Sequence, residues 1–292
     1  MVRLGANRYG KAEVRVVHVG HGQAAGGGDA VWDWNVSTSL SGDLDATHLT
    51  GDNAHVLPTD TQKNTVYALA RKLGGIEPEA FALELAARYT GTQPAITRAR
   101  VAIEEFAWTP VSGTGRSFAR SGEYTRLVTV HDDRDLGRTV VGGIGDLTLL
   151  NTTGSQFWGF PRDEYTTLED AYDRMLATVV SARWRFRSAD ADTDWAEAFS
   201  TARSALIDAF ATTDSCSLQQ TLYAMGAAVL AAVPELCEVR LALPNKHHFI
   251  VDLSPFGLDN PNEVYYAADR PYGLIEGTVL ADESPDAGIA WS

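Results

Sequence analysis

Two segments near the start of the chain alternate apolar and polar residues with the period of a β-strand. One face of the two segments is made up of Val14, Val16, His18, Trp32, Trp34 and Val36. The stretch between them, 20–28, is rich in glycine, which is typical of a flexible hairpin loop. The pattern therefore predicts an antiparallel hairpin, followed by a polar stretch over 39–55 that shows no periodicity.

Helical periodicity begins after Pro58. Thr59 and Gln62 have the spacing of a capping box, in which two side chains satisfy free backbone N–H groups at the start of a helix. Gly74 and Gly75 end the periodic segment. The elements predicted for the rest of the first half are helices over 61–73 and 78–89 and strands over 98–108 and 124–131.

The second half of the chain repeats this order of elements. Thr166 and Glu169, again with capping-box spacing, predict one additional short helix, and Arg174 is placed on a helix beside Asp173. The other elements predicted here are strands over 139–152, 183–187, 238–243, 247–253 and 273–280 and helices over 194–212 and 217–233.

The shared order is strand, strand, helix, helix, strand, strand. We therefore predict two similar domains, 1–135 and 136–292, that meet at a charged turn over 132–138. Antiparallel hairpins combined with paired helices indicate an α+β fold, with antiparallel sheets that carry helices on one face. The other face and the sheet edges stay exposed, and closure into an oligomeric barrel would cover both.

Composition narrows the classes of partner. The chain has 24 Lys and Arg against 38 Asp and Glu, a net charge of −14, which argues against nucleic acid and anionic membranes as partners. Cys216 and Cys237 are too few for a disulfide framework and favour a reducing compartment. The most apolar stretch, 224–233, is about half the length that spans a bilayer. With no signal peptide and no C-terminal peroxisomal tripeptide in view, we expect a cytoplasmic protein.

Several common catalytic motifs are missing from the sequence. It contains no phosphate loop, no HExxH and no GxSxG, and the glycines at 142–145 lie within a predicted strand and do not form GxGxxG. His247 and His248 are neighbours on a predicted strand, so they should point to opposite faces and not share one metal ion. We therefore expect no metal and no organic cofactor.

Four short stretches, 9–11, 59–65, 155–168 and 243–247, are difficult to explain as scaffold alone. Together they resemble the urate oxidase family, and the resemblance in order and residue type extends over nearly the whole chain. It implies the tunnelling fold, with two tandem domains per chain and a homotetramer whose sheets form a barrel around a central tunnel. It also implies a planar purine bound at subunit interfaces.

The resemblance also implies roles in substrate binding. Phe157 would stack on the urate ring, and Arg174 would donate two parallel hydrogen bonds to its edge, a geometry that lysine cannot supply. Gln219 would complete that edge with one donor and one acceptor, and Leu218 would contribute a backbone N–H. Asp60 would reach into the same site beside the catalytic groups.

The implied reaction is a cofactor-independent oxidation of urate by O2 and water to 5-hydroxyisourate and H2O2. Lys11 and Thr59 would form the base, with the threonine hydroxyl relaying a proton to the amine. His247, whose unperturbed pKa lies near neutrality, would be the proton shuttle. Thr59 would also touch the substrate, and Asn245 would hold O2 and then water above the ring.

Each of these residues also has a structural interpretation. Thr59 could cap its helix, Asp60 could favour the helix dipole, and Phe157 could belong to the core. Arg174 and Gln219 could be solvated surface residues. Two other functions stay open: a tunnelling-fold hydrolase for a pterin or a nucleotide, which usually needs zinc, and a non-catalytic purine-binding tetramer.

Overall fold

The computed structural model describes residues 2–24, 26–189, 192–268 and 270–292. The alternating segments of the first half form the predicted strands. The first half contains β1 (Tyr9–Gly20), β2 (Ala30–Gly42), α1 (Asp45–Leu49), α2 (Thr59–Leu73), α3 (Pro78–Thr92), β3 (Ile96–Glu105), β4 (Trp108–Pro110), β5 (Phe118–Arg120) and β6 (Thr125–Asp133). The second half contains β7 (Gly137–Phe157), β8 (Ala171–Phe186), α4 (Trp195–Thr212), α5 (Leu218–Ala232), β9 (Leu236–Lys246), β10 (His248–Ile250), β11 (Tyr265–Ala267) and β12 (Gly273–Leu280).

Eight of these strands form one antiparallel sheet in the order β1-β2-β3-β6-β7-β8-β9-β12. The four long helices pack on one face of this sheet, where α3 lies against β3 and β6 and α5 lies against β9 and β12. The core between the layers includes Val36, Val101, Val130, Phe81, Leu85, Leu206, Met225 and Val229, all fully buried. Burying a side chain of this size stabilises the fold by about 1.5–3 kcal/mol, so the layered packing supplies most of the driving force.

The two halves repeat the same long elements, as the sequence predicts. The turn between β6 and β7 is organised by Asp133, whose carboxylate accepts hydrogen bonds from the backbone N–H groups of Asp135 and Leu136, each at 2.9 Å. The same carboxylate pairs with Arg98 at 2.5 Å. This charged turn confirms the predicted connection, while the division into two domains at this point stays a prediction.

The short helix predicted from Thr166 is wrong. The chain over 158–170 has no helix, and Arg174 lies on β8. The carboxylate of Asp163 accepts hydrogen bonds from the backbone of Tyr165 at 3.0 Å and from the Thr166 hydroxyl at 2.8 Å. This local turn uses the threonine side chain that the capping box would need.

The polar stretch over 39–55 is more ordered than its pattern predicts. Strand β2 continues to Gly42 because it pairs with β3, with Leu40 opposite Ala99. Leu40 and Leu44 are both buried in the core. At the other end of the chain, the predicted strand over 247–253 is reduced to β10, which pairs with β11 outside the main sheet. Among the described residues, no helix is long and apolar enough to cross a membrane.

Candidate active site

The first group of candidate residues lies where β1 begins and α2 starts. Gly10 faces the neighbouring strand so closely that a Cβ atom there would lie 1.8 Å from the carbonyl oxygen of Thr38. The Thr38 hydroxyl donates a hydrogen bond to the buried Gln62 of α2 at 2.8 Å, and the backbone N–H of Lys11 donates to the same hydroxyl at 3.3 Å. These bonds bring Lys11 next to the first turn of α2.

Thr59 does not cap this helix, so the capping interpretation is wrong. The N-cap position is Pro58, and Thr59 is the first helical residue. Gln62 does not complete a capping box either, because its side chain bonds to Thr38 and donates to the carbonyl of Leu57 at 3.3 Å. The partly exposed Thr59 hydroxyl makes no hydrogen bond with any other described residue. It is therefore available to a ligand.

Asp60 occupies the second position of α2 and is exposed to solvent. Its carboxylate pairs with Lys63 at 2.5 Å and accepts a hydrogen bond from Asn64 at 3.0 Å. The hydrogen bond from Lys63 holds the pKa of Asp60 below its usual range, and the charge of Lys11 contributes a smaller lowering. Lys11, Thr59 and Asp60 thus form one cluster, which we call the base cluster.

The second group begins with Phe157 and Arg174 at the paired ends of β7 and β8. Ser155 lies opposite Arg174 in the register, and its hydroxyl accepts a hydrogen bond from Arg174 Nε at 3.4 Å. The guanidinium carbon of Arg174 lies 5.3 Å from the centre of the Phe157 ring. Burial lowers the pKa of Arg174 from its usual value. Phe160 stacks on the same Phe157 ring, with the ring centres 5.1 Å apart. An aromatic ring and a planar donor fork are therefore in contact at this strand end.

The start of α5 is tied to the same end of β7. The Ser215 backbone N–H donates to the Gly154 carbonyl at 2.9 Å, and the Ser215 carbonyl accepts from the Gln156 N–H at 2.6 Å. The Ser215 hydroxyl accepts a hydrogen bond from Thr221 at 2.8 Å. Leu218 and Gln219 are the first two residues of the helix that follows, so their backbone N–H groups have no partner within it. The anchored loop brings them to the strand end that carries Phe157.

Asn245 and His247 come at the end of β9. Asn245 is paired with Thr178 of β8, which lies four residues from Arg174 and therefore on the same face of the strand. Burial lowers the pKa of His247, and the positive charges of Arg174 and His248 lower it further. Phe157, Arg174, Leu218, Gln219, Asn245 and His247 thus form a second cluster, which we call the clamp cluster.

One chain does not bring the two clusters together. Following the register from Lys11 across β2, β3 and β6 leads to Val140 on β7, seventeen positions before Phe157 on that strand. A strand rises about 3.3 Å per residue, so the clusters lie tens of ångströms apart along the strand direction. They are also separated by three intervening strands.

The supporting residues Thr38, Ser155, Ser215 and Thr221 were not singled out by the sequence. All four are buried polar residues. The hydroxyl hydrogen bonds of Thr38 and Ser155 join different segments of the chain, while Thr221 holds the Ser215 hydroxyl within the turn before α5, so no periodic pattern marks them. In the part of the chain that the structure describes, no group of three or more His, Cys, Asp or Glu side chains is placed to hold a metal ion.

The sequence profile of the uricase family matches residues 7–131 and 140–276, which is most of the chain. This chain belongs to the uricase family. The uricase of Arthrobacter globiformis is 48% identical over 291 residues, covering 100% of this chain and 94% of that protein. The uricase of Dictyostelium discoideum is 37% identical over 289 residues, covering 97% and 99%.

A crystal structure of uricase from Arthrobacter globiformis has a TM-score of 0.94 to this structure at 47% identity, covering 100% of this chain and 99% of that chain. This similarity to a uricase confirms the predicted α+β class and the tunnelling fold. All four stretches that suggested the family lie inside the matched segments. The roles of individual residues stay predictions.

Proposed function

We propose that this protein is a urate oxidase that converts urate, O2 and water to 5-hydroxyisourate and H2O2, with no metal or organic cofactor. The observation that carries the proposal is the clamp cluster, where the Phe157 ring, the Arg174 guanidinium and the first N–H groups of α5 converge in a member of the uricase family. The stoichiometry is one urate, one O2 and one water to one 5-hydroxyisourate and one H2O2.

Substrate binding follows from the shape and charge of urate, a flat anion ringed with N–H and C=O groups. Phe157 covers one ring face, and Arg174 donates two hydrogen bonds to the edge while neutralising the charge. Gln219, exposed at the start of α5, supplies one donor and one acceptor. The Leu218 N–H adds a donor at a helix N-terminus, which favours negative charge.

Proton transfer falls to the base cluster and to His247. Thr59 donates its hydroxyl proton to Lys11 as it takes a proton from bound urate, leaving an electron-rich dianion that passes an electron to O2. Asn245 holds O2 and then water above the ring, and His247 moves the proton that accompanies water addition. Asp60, the second residue of α2, completes the edge of the site beside Lys11.

The site is completed by a second copy of the chain, within a homotetramer whose sheets close into barrels. The distance between the two clusters in one chain supports this. The free sheet edges support it as well, because β1 and β12 are the end strands of an eight-stranded antiparallel sheet and run in opposite directions. The β12 edge of one copy can therefore pair antiparallel with the β1 edge of another, which removes both exposed edges.

Two tandem domains, 1–135 and 136–292, are part of the same proposal. The repeated element order supports the division, and so does the position of the gap between the two matched segments of the family profile, around the β6–β7 turn.

The decisive assay is urate-dependent O2 uptake with H2O2 release by purified protein after exhaustive chelation. We expect one H2O2 per urate, a strong loss of turnover in Lys11→Met, and normal turnover in Arg88→Gln, a control on the exposed face of α3. Tight urate binding without turnover would instead indicate a non-catalytic binder. Activity lost on chelation and restored by one particular metal would contradict the cofactor-free reaction.

A further inference from the structure

The helix-free face of the sheet carries a row of polar and basic side chains across four strands. Ser39, Arg100, His131 and Thr139 are consecutive partners in the register of β2, β3, β6 and β7, so their side chains lie side by side. This row is unusual in a chain whose net charge is −14. It is also far from the clamp cluster and contains none of the proposed catalytic residues.

A cavity of about 270 Å³ opens at this row. Arg8, Ser39, Ser41, Arg98, Arg100 and His131 contribute to its wall. Ala6, Asn7 and Ser292 complete the described wall, which contains no Asp or Glu side chain. Its acceptor groups include the backbone oxygen of Ser292, 3.3 Å from His131 Nε2, and the buried Asn7 Oδ1. The volume admits a small tetrahedral anion together with ordered water, since one water occupies about 30 Å³ in the liquid.

The positive charges around the cavity are only partly balanced. Arg98 is paired with Asp133 at 2.5 Å. Arg8 and Arg100, by contrast, make no ion pair or hydrogen bond with any described residue, and Arg100 Nε is buried without a partner. An unpartnered buried donor on a charged group is costly, because water no longer solvates it and nothing replaces the water.

The electrostatic effects of the neighbours agree with this picture. Burial and then the charge of Arg8 lower the pKa of Arg100. Burial lowers the pKa of His131 to about 4, with further lowering by the charges of Arg100, Arg98 and Arg8, against a raising effect of its hydrogen bond to Ser292. The cavity thus concentrates positive charge that repels itself when no anion is present.

We propose that this cavity is a binding site for a small tetrahedral oxoanion, held by the guanidinium groups of Arg8 and Arg100 and by the Ser39 hydroxyl. Guanidinium groups match the oxygens of phosphate and sulfate with two parallel hydrogen bonds, and a hydroxyl supplies a further donor. The bound anion relieves the repulsion between the two arginines and gives Arg100 Nε its partner. Anion binding therefore stabilises the folded protein, and the stabilisation grows with the logarithm of the anion concentration once that concentration exceeds the Kd.

Calorimetric titration of the dialysed, assembled protein with inorganic phosphate and with sulfate tests this, at constant ionic strength set by chloride. We expect one oxoanion per chain, and binding weakened roughly tenfold to a hundredfold in Arg100→Gln, the loss expected for hydrogen bonds to a charged group. Arg88→Gln, an arginine on the exposed face of α3, should bind like wild type. Without oxoanion, Arg100→Gln should melt no lower than wild type, because it removes a like-charge contact.

A competition experiment distinguishes a cavity that binds only inorganic oxoanions from one that also binds an organic anion. If urate displaces sulfate from Arg174→Ala, in which the clamp cluster is disabled, the cavity takes the organic anion as well; if only phosphate competes, the ligand is inorganic. Equal responses to oxoanion in wild type, Arg100→Gln and Arg88→Gln would overturn the proposal. A second result would also overturn it: wild type does not bind oxoanions, and Arg100→Gln dissociates into smaller assemblies. The arginines would then bind a carboxylate of a second copy of the chain.

Discussion

Replacing Glu79 by glutamine should stabilise the protein at pH 8 and leave its stability nearly unchanged below pH 5. Glu79 is fully buried at the start of α3 and pairs with Arg126 at 2.7 Å. Arg126 also pairs with Glu77 at 2.7 Å and with Glu105 at 3.3 Å. Three carboxylates therefore face one guanidinium, and the cluster joins α3, β3 and β6 close to the first turn of α4.

Burial raises the pKa of Glu79 to about 7, and the charge of Glu105 adds to the increase, against the lowering effect of Arg126. Because the folded pKa is above the unfolded value, the folded state binds the proton more tightly. The resulting stability is fully present below the unfolded pKa of about 4.5 and is lost as the pH rises to about 7. The shift corresponds to about 3 kcal/mol in total.

Glutamine keeps the shape and the acceptor oxygen of protonated Glu79 but cannot ionise. The difference in unfolding free energy between Glu79→Gln and wild type should therefore grow by up to about 3 kcal/mol from pH 4.5 to 8. Thermal or urea unfolding at fixed protein concentration measures this difference at each pH. Glu84→Gln, on the exposed face of α3, is the matched control and should show no such trend. A Glu79→Gln difference that is the same at every pH would refute the reasoning.

Three further predictions concern the two clusters. Lys11→Met and Thr59→Ala should each lower kcat, and the double variant should lose much less than the product of the two losses, because a relay acts as one unit; fully additive losses would count against it. Arg174→Gln should mainly raise KM for urate. It should also raise the pKa of His247 by removing a positive neighbour, moving the acid limb of the kcat profile to higher pH. Gly10→Ala should destabilise the fold by roughly 1–3 kcal/mol or more, measured by thermal unfolding, because the added Cβ would lie 1.8 Å from a carbonyl oxygen of the neighbouring strand.

The parts of the fold that follow from periodicity could be predicted from the sequence. Strict alternation predicts β1 and β2 because one face of each is buried, and the capped periodic segments predict α4 and α5 within one or two residues. Leu40 shows where the pattern fails: its strand continues through polar residues only because β3 lies beside it. Cross-strand pairing is a long-range effect that no local window of sequence contains.

The candidate site, like the fold, could be predicted from the sequence only in part. The types of residue proposed to hold a flat anion could be recognised from their motifs, but their placement in the fold could not. Arg174 is on a strand because β8 continues the β7 hairpin, and Thr59 is a free hydroxyl because Pro58 takes the N-cap position. Gln62 has the spacing of a capping residue yet serves as the buried link between α2 and Thr38. Spacing alone does not distinguish these uses of the same side chain.

The sharing of one site between two chains is the central claim, and mixing two inactive variants tests it most directly. Lys11→Met lacks the base and Arg174→Ala lacks the clamp. At a urate concentration near the KM of wild type each should be nearly inactive alone, the first because kcat falls and the second because KM rises. The two variants are co-expressed at equal levels and assemble at random. In each site the chain that supplies the base cluster and the chain that supplies the clamp cluster are then independently one variant or the other. The specific activity should then recover to about a quarter of wild type, one half multiplied by one half under symmetric pairing. Mixed assemblies that form, shown by differently tagged chains purifying together, and yet stay as inactive as both parents would contradict the shared site.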